Sequence, residues 1–270
     1  MRDRFVQHLR SCAALLAALL LAACASIPER PVHGEFVERQ VTVDGTAHRY
    51  QVFVPGPAAG DGPPPVILFL HGSGERGSDG EKPTLVGLGP HVRAHADSFP
   101  AIVVFPQAPE DSEWSHAAGV AMVALDAATR EFNGDPDRIW LTGLSMGGYG
   151  AWELALAHPG RFAAVVPVCG GITAPAHRPG LYVTAVAGED DPFSTAAKRL
   201  RGTPIWIFHG AQDDLVLPEQ SRRMAAALEA AGAADAHYTE FPDANHNSWD
   251  PAYATPELWQ WLESLDAAPR

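Results

Sequence analysis

The chain has 270 residues, 46% of them hydrophobic and 19% charged, enough apolar material to bury the core of one large domain or two small ones. Its formal net charge of −13 sets nucleic acid aside as a partner, because phosphate recognition needs basic surface. Outside the N-terminus no biased tract points to a fibrous or disordered chain.

In chain order, Arg2, Arg4 and Arg10 form a basic start, and an apolar run follows from Cys12 to Ala25. A bilayer crossing takes about 20 residues, so this shorter run reads as the h-region of a signal peptide. It ends in Leu21-Ala22-Ala23-Cys24, which resembles the bacterial lipobox and implies removal of residues 1–23 and lipidation of Cys24. The other reading is an ordinary signal peptide cut near Ala23 or Ala25. With Ala25 rather than an aspartate after the cysteine, the resemblance implies an exported protein anchored to the outer membrane and facing the periplasm. Lipid on Cys24 leaves Cys169 without a disulfide partner, and its place at the end of an apolar run marks it as a buried, inert thiol. Pro28, Pro31 and Gly34 make 24–35 a tether to a domain over 36–270.

Phe36–Val43 and His48–Val54 alternate in polarity around Asp44-Gly45, which predicts an antiparallel hairpin. Continuous apolar runs follow at Pro65–Leu70, Ala101–Phe105, Arg138–Leu141, Phe162–Val168 and Ile205–Phe208, with a last strand candidate at His237–Phe241. Such runs suit strands covered on both faces. Helix patterns at Ala117–Phe132, Met146–His158, Pro218–Ala231 and Pro256–Leu265 separate them, so the expected class is α/β with a doubly wound, mostly parallel sheet. The Gly- and Pro-rich stretch Gly72–Phe99 reads as a long loop bordering a binding site.

The strongest chemical signal is Gly143-Leu144-Ser145-Met146-Gly147, set between a buried strand and a helix pattern. That is the setting of a nucleophile elbow, in which a tight turn exposes a serine hydroxyl at a helix N-terminus. A hydroxyl needs a base, and behind such an elbow the partners come in the order acid, then histidine. His237 lies inside a strand pattern, whereas His246 lies in the loop Pro242–Trp249 and can reach over the sheet edge, so His246 is the expected base. Asp213 and Asp214 both follow the Ile205–Phe208 strand at a suitable place for the acid, and Asp190-Asp191 is the runner-up pair after the apolar run Tyr182–Val186. The Met146 amide is one expected oxyanion donor. The second comes from His71-Gly72-Ser73-Gly74-Glu75-Arg76-Gly77, with Ser73 first choice and Gly74 second. Glu75 and Arg76 read as a pair or as braces of that loop. Trp114 is a candidate for the substrate pocket, with a core or rim position as the other reading.

Together with Pro106-Gln107-Ala108-Pro109, Asp135–Ile139, Gly143–Gly148, His209–Pro218 and Asp243–Trp249, the His71–Gly77 segment resembles the predicted-peptidase and esterase branch of the α/β hydrolases. That branch is related to dienelactone hydrolases, phospholipase/carboxylesterases and prolyl-oligopeptidase catalytic domains. The likeness runs from about residue 36 to residue 265 and implies the α/β-hydrolase fold. In the related stretch H-G-x-x-D-x-x-V-P the acid is the fourth residue after the histidine, which selects Asp213. This chain departs in carrying Leu217 before Pro218, and Asn245 where relatives often have glycine. Dienelactone hydrolases use a cysteine nucleophile, so their substrate does not transfer.

The resemblance implies a serine esterase that works through an acyl-enzyme, with Ser145, His246 and Asp213 as triad. It implies no metal or cofactor, a small-molecule or oligomeric ester as partner, and membrane contact only through the N-terminal lipid. Two other functions fit the same residues: a prolyl-oligopeptidase-like peptidase, and a non-catalytic binding lipoprotein. No segment is large enough for the access-restricting propeller of the former, and a complete set of reactive residues speaks against the latter.

Overall fold

Asp44 and Gly45 both take left-handed backbone, with φ of 49° and 78°, as a two-residue hairpin turn demands. They join β1 (Glu35–Val43) to β2 (Thr46–Val54) in antiparallel register, with Val43 opposite Thr46. The structure, a computed structural model, describes residues 31–57, 60 and 62–265. The expected signal peptide, Cys24 and the tether up to residue 30 lie outside the described residues.

After the hairpin the chain lays down β3 (Val66–Leu70), β4 (Ile102–Pro106), β5 (Ile139–Leu144), β6 (Ala164–Val168), β7 (Ile205–Gly210) and β8 (Ala236–Phe241). Across the eight-stranded sheet the order is β1-β2-β4-β3-β5-β6-β7-β8. β2 meets β4 antiparallel, and the neighbours from β4 to β8 are all parallel. β3 to β6 are buried along their whole length, which is why they read as unbroken apolar runs rather than alternating ones.

The helices are α1 (Leu88–Ala94), α2 (Trp114–Glu131), α3 (Met146–Ala157), α4 (Pro192–Leu200), α5 (Glu219–Ala230), α6 (Trp249–Tyr253) and α7 (Pro256–Ser264). Strand alternation divides the core between them. Val66, Leu68 and Leu70 pack with α2 to α5 on one face, and Ile67 and Phe69 pack with α1, α6 and α7 on the other. No helix among the described residues is long and apolar enough to cross a membrane.

Two stretches differ from expectation. The long Gly72–Phe99 segment contains α1, and α4 follows Asp191, outside the expected helix patterns. Between β6 and α4, residues Thr184–Val186 make a 3₁₀ turn, held because the Glu153 carboxylate accepts from the Thr184 N–H at 2.6 Å and from its hydroxyl at 2.5 Å. The chain passes from β3 outward to β4 and then back across to β5, so β3 sits at the point where strand order reverses. A crevice opens beyond the carboxyl ends of β3 and β5 at such a point, and it receives the loop after each strand.

Candidate active site

The β5–α3 turn has no room for side chains beside its serine. A Cβ on Gly143 would meet the Gly147 carbonyl oxygen at 2.3 Å, and one on Gly147 would meet the Leu70 oxygen at 1.9 Å. Strand and helix therefore approach as glycine alone permits, and Ser145 is left at φ 54°, ψ −118°. Such backbone costs on the order of 1–3 kcal/mol in a non-glycine residue. Its surroundings hold it there: the Ser145 N–H donates to the Val168 oxygen at 2.9 Å, and the Ser145 carbonyl accepts from Gly148 and Tyr149 at 2.8 and 3.1 Å.

The loop after β8 crosses the end of β7 so closely that a Cβ on Gly210 would sit 2.2 Å from the Asn245 oxygen. This carries His246 over the sheet edge. Its Nε2 lies 2.9 Å from Ser145 Oγ and its Nδ1 lies 2.7 Å from Asp213 Oδ2. A carboxylate accepts, so Nδ1 carries the proton and Nε2 is left to accept from the serine hydroxyl.

Asp213 is buried, its side chain wholly enclosed. Burial alone would raise its pKa. Hydrogen bonds from His209 and His246, the His246 charge and the Val216 amide overcome that and hold the carboxyl well below the usual range. Oδ1 accepts from the Leu215 and Val216 amides at 2.9 and 3.0 Å, while Oδ2 also accepts from His209 Nε2 at 3.1 Å. His209 Nε2 further donates to the Val216 oxygen at 2.8 Å, and its Nδ1 accepts from the Ser221 hydroxyl at 2.6 Å. The alternatives sit elsewhere. Asp214, Asp190 and Asp191 are exposed, and Asp191 caps α4 by accepting from the Ser194 N–H at 3.2 Å. His237 bonds Asp235 at 2.7 Å on the outer strand.

On the other side of Ser145, the loop after β3 starts with a buried histidine. The Ala108 N–H donates to His71 Nε2 at 3.0 Å, so the His71 proton is on Nδ1, which donates to the Gly72 carbonyl at 2.5 Å. Burial lowers the His71 pKa to about 4, which keeps the ring neutral. A Cβ on Gly72 would lie 3.7 Å from that of Ser145, so this loop flanks the hydroxyl. Ser73 and Gly74 follow directly. A cavity of about 290 Å³ opens here, lined by Ser73, Gly74, Glu75, Ser145, Arg178 and His246 among others. The Met146 amide sits at the first position of α3, where the helix N-terminus supplies positive potential.

Trp114 needs correcting as a pocket candidate, and of the two readings for Glu75 and Arg76 the brace holds for Arg76 while the pair does not. Trp114 does not line this cavity: it is 1% exposed, packed in the core at the start of α2, with Nε1 donating to the His71 carbonyl at 2.9 Å. The indole is drawn inward because its one donor finds a buried acceptor there. Glu75 and Arg76 form no ion pair among the described residues. Arg76 Nε donates to the Ser73 carbonyl at 3.1 Å, while Glu75 faces the cavity, its carboxyl pKa raised by burial.

Sequence reasoning passed over His209, His71 and Arg178. His71 follows the last residue of β3 and His209 is the next-to-last residue of β7, both within motifs already singled out. Arg178 sits in a segment without periodicity, and nothing local marks it.

Cys169 is buried and free, and burial pushes its thiol pKa up. Together with Asp213 and His246 it brings three ligand-type atoms within 4.8 Å of one another. Asp213 accepts from His246 Nδ1 and His246 Nε2 faces Ser145 Oγ, so these two groups are already committed to the hydrogen-bonded series through the serine.

The family described as "Putative esterase" matches residues 45–265. The bifunctional acetylxylan esterase/xylanase XynS20E of Neocallimastix patriciarum is 26% identical over 187 residues, which is 65% of this chain and 23% of that protein. "Putative esterase NocK" of Nocardia uniformis subsp. tsuyamanensis is 30% identical over 195 residues, 65% of this chain and 55% of that one. The chain thus spans from about a quarter to about half the length of these curated relatives. Among solved structures, a thermostable esterase is 29% identical with a TM-score of 0.68, over 85% of this chain and 62% of its own.

Proposed function

Because this chain belongs to the Esterase family and has the α/β-hydrolase fold, we propose that it hydrolyses carboxylic esters through an acyl-enzyme on Ser145. One observation carries the reading: the unbroken hydrogen-bonded series from Ser145 Oγ to His246 to Asp213, at 2.9 and 2.7 Å. Ser145 Oγ attacks the ester carbonyl as its proton passes to His246 Nε2. The imidazolium is stabilised by Asp213, whose depressed pKa keeps it ionised. The tetrahedral oxyanion accepts from the amides of Met146 and of Ser73 or Gly74, and removing one such donor costs about 3 kcal/mol. His246 then gives its proton to the departing alcohol. A water, deprotonated by the same nitrogen, releases the acid and restores the serine.

The test is a fluorophosphonate probe with a panel of short aryl esters, feruloyl esters and peptide amides. Labelling of wild type but not of Ser145→Ala, with turnover of esters ahead of amides, is expected. No labelling, or equal labelling of the variant, removes the reading, and faster amide turnover makes the chain a peptidase.

We also propose that the domain is exported and held by lipid on Cys24. Cys24→Ser should then move the protein from the membrane to the soluble fraction of cells.

A further inference from the structure

Ser73 stands between two glycines, Gly72 and Gly74, in a 3₁₀ turn of three residues. A segment of that kind has little backbone stiffness of its own, yet its amides must stay fixed to serve an oxyanion. Outside contacts hold it at three atoms. His71 Nδ1 donates to the Gly72 carbonyl, which belongs to the same peptide plane as the Ser73 N–H. Arg76 Nε donates to the Ser73 carbonyl. Arg178 Nη1 donates to Ser73 Oγ, across 105 residues of chain.

Arg178 is itself anchored. Its Nη2 donates to Glu113 Oε1 at 2.6 Å, with the two side chains only 24% and 17% exposed. Its own loop is pinned on both sides: the Arg178 N–H donates to the Pro175 oxygen at 2.9 Å, and the Arg178 oxygen accepts from Leu181 at 3.1 Å. Glu113 directly precedes α2, whose first residue, Trp114, braces the His71 carbonyl. The guanidinium charge is thus matched by Glu113 rather than offered to a substrate anion.

We propose that Arg178 is a positioning residue of the oxyanion pocket, clamping Ser73 Oγ against Glu113 so that the amides of the 72–74 turn hold their place in the transition state. The inference rests on the ester-hydrolase reading above. It makes the segment around Arg178 part of the catalytic apparatus although the residue touches no reacting atom. Because the clamped amides meet an oxyanion only in the transition state, loss of the clamp falls on the chemical step.

The experiment compares wild type, Arg178→Met, Arg178→Lys, Ser73→Ala and the Ser73→Ala/Arg178→Met double variant. The probes are p-nitrophenyl acetate for kcat and KM, and an aryl trifluoromethyl ketone, whose hemiketal oxyanion reports the pocket. Arg178→Met is expected to lower kcat about 10- to 100-fold with KM within about twofold, since small misplacements of positioned groups cost that much. Ketone affinity should fall in proportion. Arg178→Lys should recover part of the loss, and the double variant should be no worse than Arg178→Met alone. The idea is overturned if kcat is unchanged, if KM alone rises, if the single losses multiply in the double variant, or if Arg178→Lys regains stability in thermal melts without regaining rate. A wild type that neither turns over the ester nor takes a fluorophosphonate brings down the parent reading, which the Arg178 variants alone cannot do.

Discussion

The two sides of Ser145 are built differently. On one side, His246, Asp213 and His209 sit at the ends of β7 and β8, and their hydrogen bonds run between loops that the parallel sheet already places side by side. On the other, Ser73 is held by Arg178, 105 residues away, and Arg178 by Glu113, 65 residues away, through flexible side chains reaching from loops. The relay side is a product of topology: once the strands pair, the reactive groups have few other places to go. The side proposed to hold the oxyanion is assembled by long-range polar contacts that the sheet alone does not dictate. Damage to the relay should therefore abolish chemistry at intact geometry, while damage to the other side should loosen geometry around intact chemistry.

The largest expected effect tests the relay at its end. Ser145→Ala should lower kcat for p-nitrophenyl acetate by about 10⁵- to 10⁶-fold, with the residue from binding and oxyanion donors alone. Next comes Asp213→Asn, for which about 10⁴-fold is expected, because an amide in place of the carboxylate turns the His246 tautomer the wrong way. Steady-state kinetics measures both. A loss below about tenfold for Asp213→Asn would mean that the relay side is not the rigid half of the comparison.

The same contrast explains what could be read in advance. The parallel strands were legible because burial on both faces forces unbroken apolar runs, as in Val66–Leu70 and Ile102–Pro106. The elbow was legible because steric contacts at residues 143 and 147 exclude every side chain. The grouping of residues 145, 213 and 246 was expected from the chain order of nucleophile, acid and histidine, with Asp213 preferred to Asp214 on the family resemblance. α1 was hidden because its seven residues are too few to show a period, and they sit among glycines and prolines. α4 did carry a signal, since Asp191-Pro192 pairs a capping side chain with a proline at the first helical position. Its nine residues were obscured because Asp190 and Asp191 read as candidate acids rather than as a cap. Trp114 was misplaced because an aromatic near a site is ambiguous until its N–H partner is known. Arg178 had no signature at all, since a side chain's reach across 105 residues leaves no local pattern.

A pH experiment addresses the oxyanion side. The His71 pKa is about 4 in the folded protein against 6.5 for an ordinary histidine. The unfolded chain thus takes up the proton first as pH falls. The stability that neutral His71 confers is complete above about pH 6.5 and is lost progressively down to about pH 4. Between pH 7 and pH 5 this group should account for about 2 kcal/mol of lost unfolding free energy. Asparagine at position 71 keeps a donor for the Gly72 carbonyl but does not titrate. Urea unfolding of His71→Asn should accordingly show a shallower decline between those pH values than wild type. Equal slopes would mean that the ring is not buried in its neutral form and that the loop is anchored some other way.

The smallest effect expected is at Trp114. Phenylalanine there keeps nearly all of the packing in the core but removes the Nε1–H that bonds the His71 carbonyl at 2.9 Å. A buried carbonyl left without its donor costs about 1–3 kcal/mol, the upper end only if no water replaces it. Catalytic loss should be slight, on the order of severalfold, because Gly72 and Ser73 remain tied by His71, Arg76 and Arg178. Thermal melting and kcat measured on Trp114→Phe check both halves of this expectation. A drop in kcat as large as that for Arg178→Met would mean that the indole, rather than the guanidinium, is the main brace of the loop. The division between a topological half and an assembled half would then have to be redrawn, with α2 supplying the rigid support on both sides of the serine.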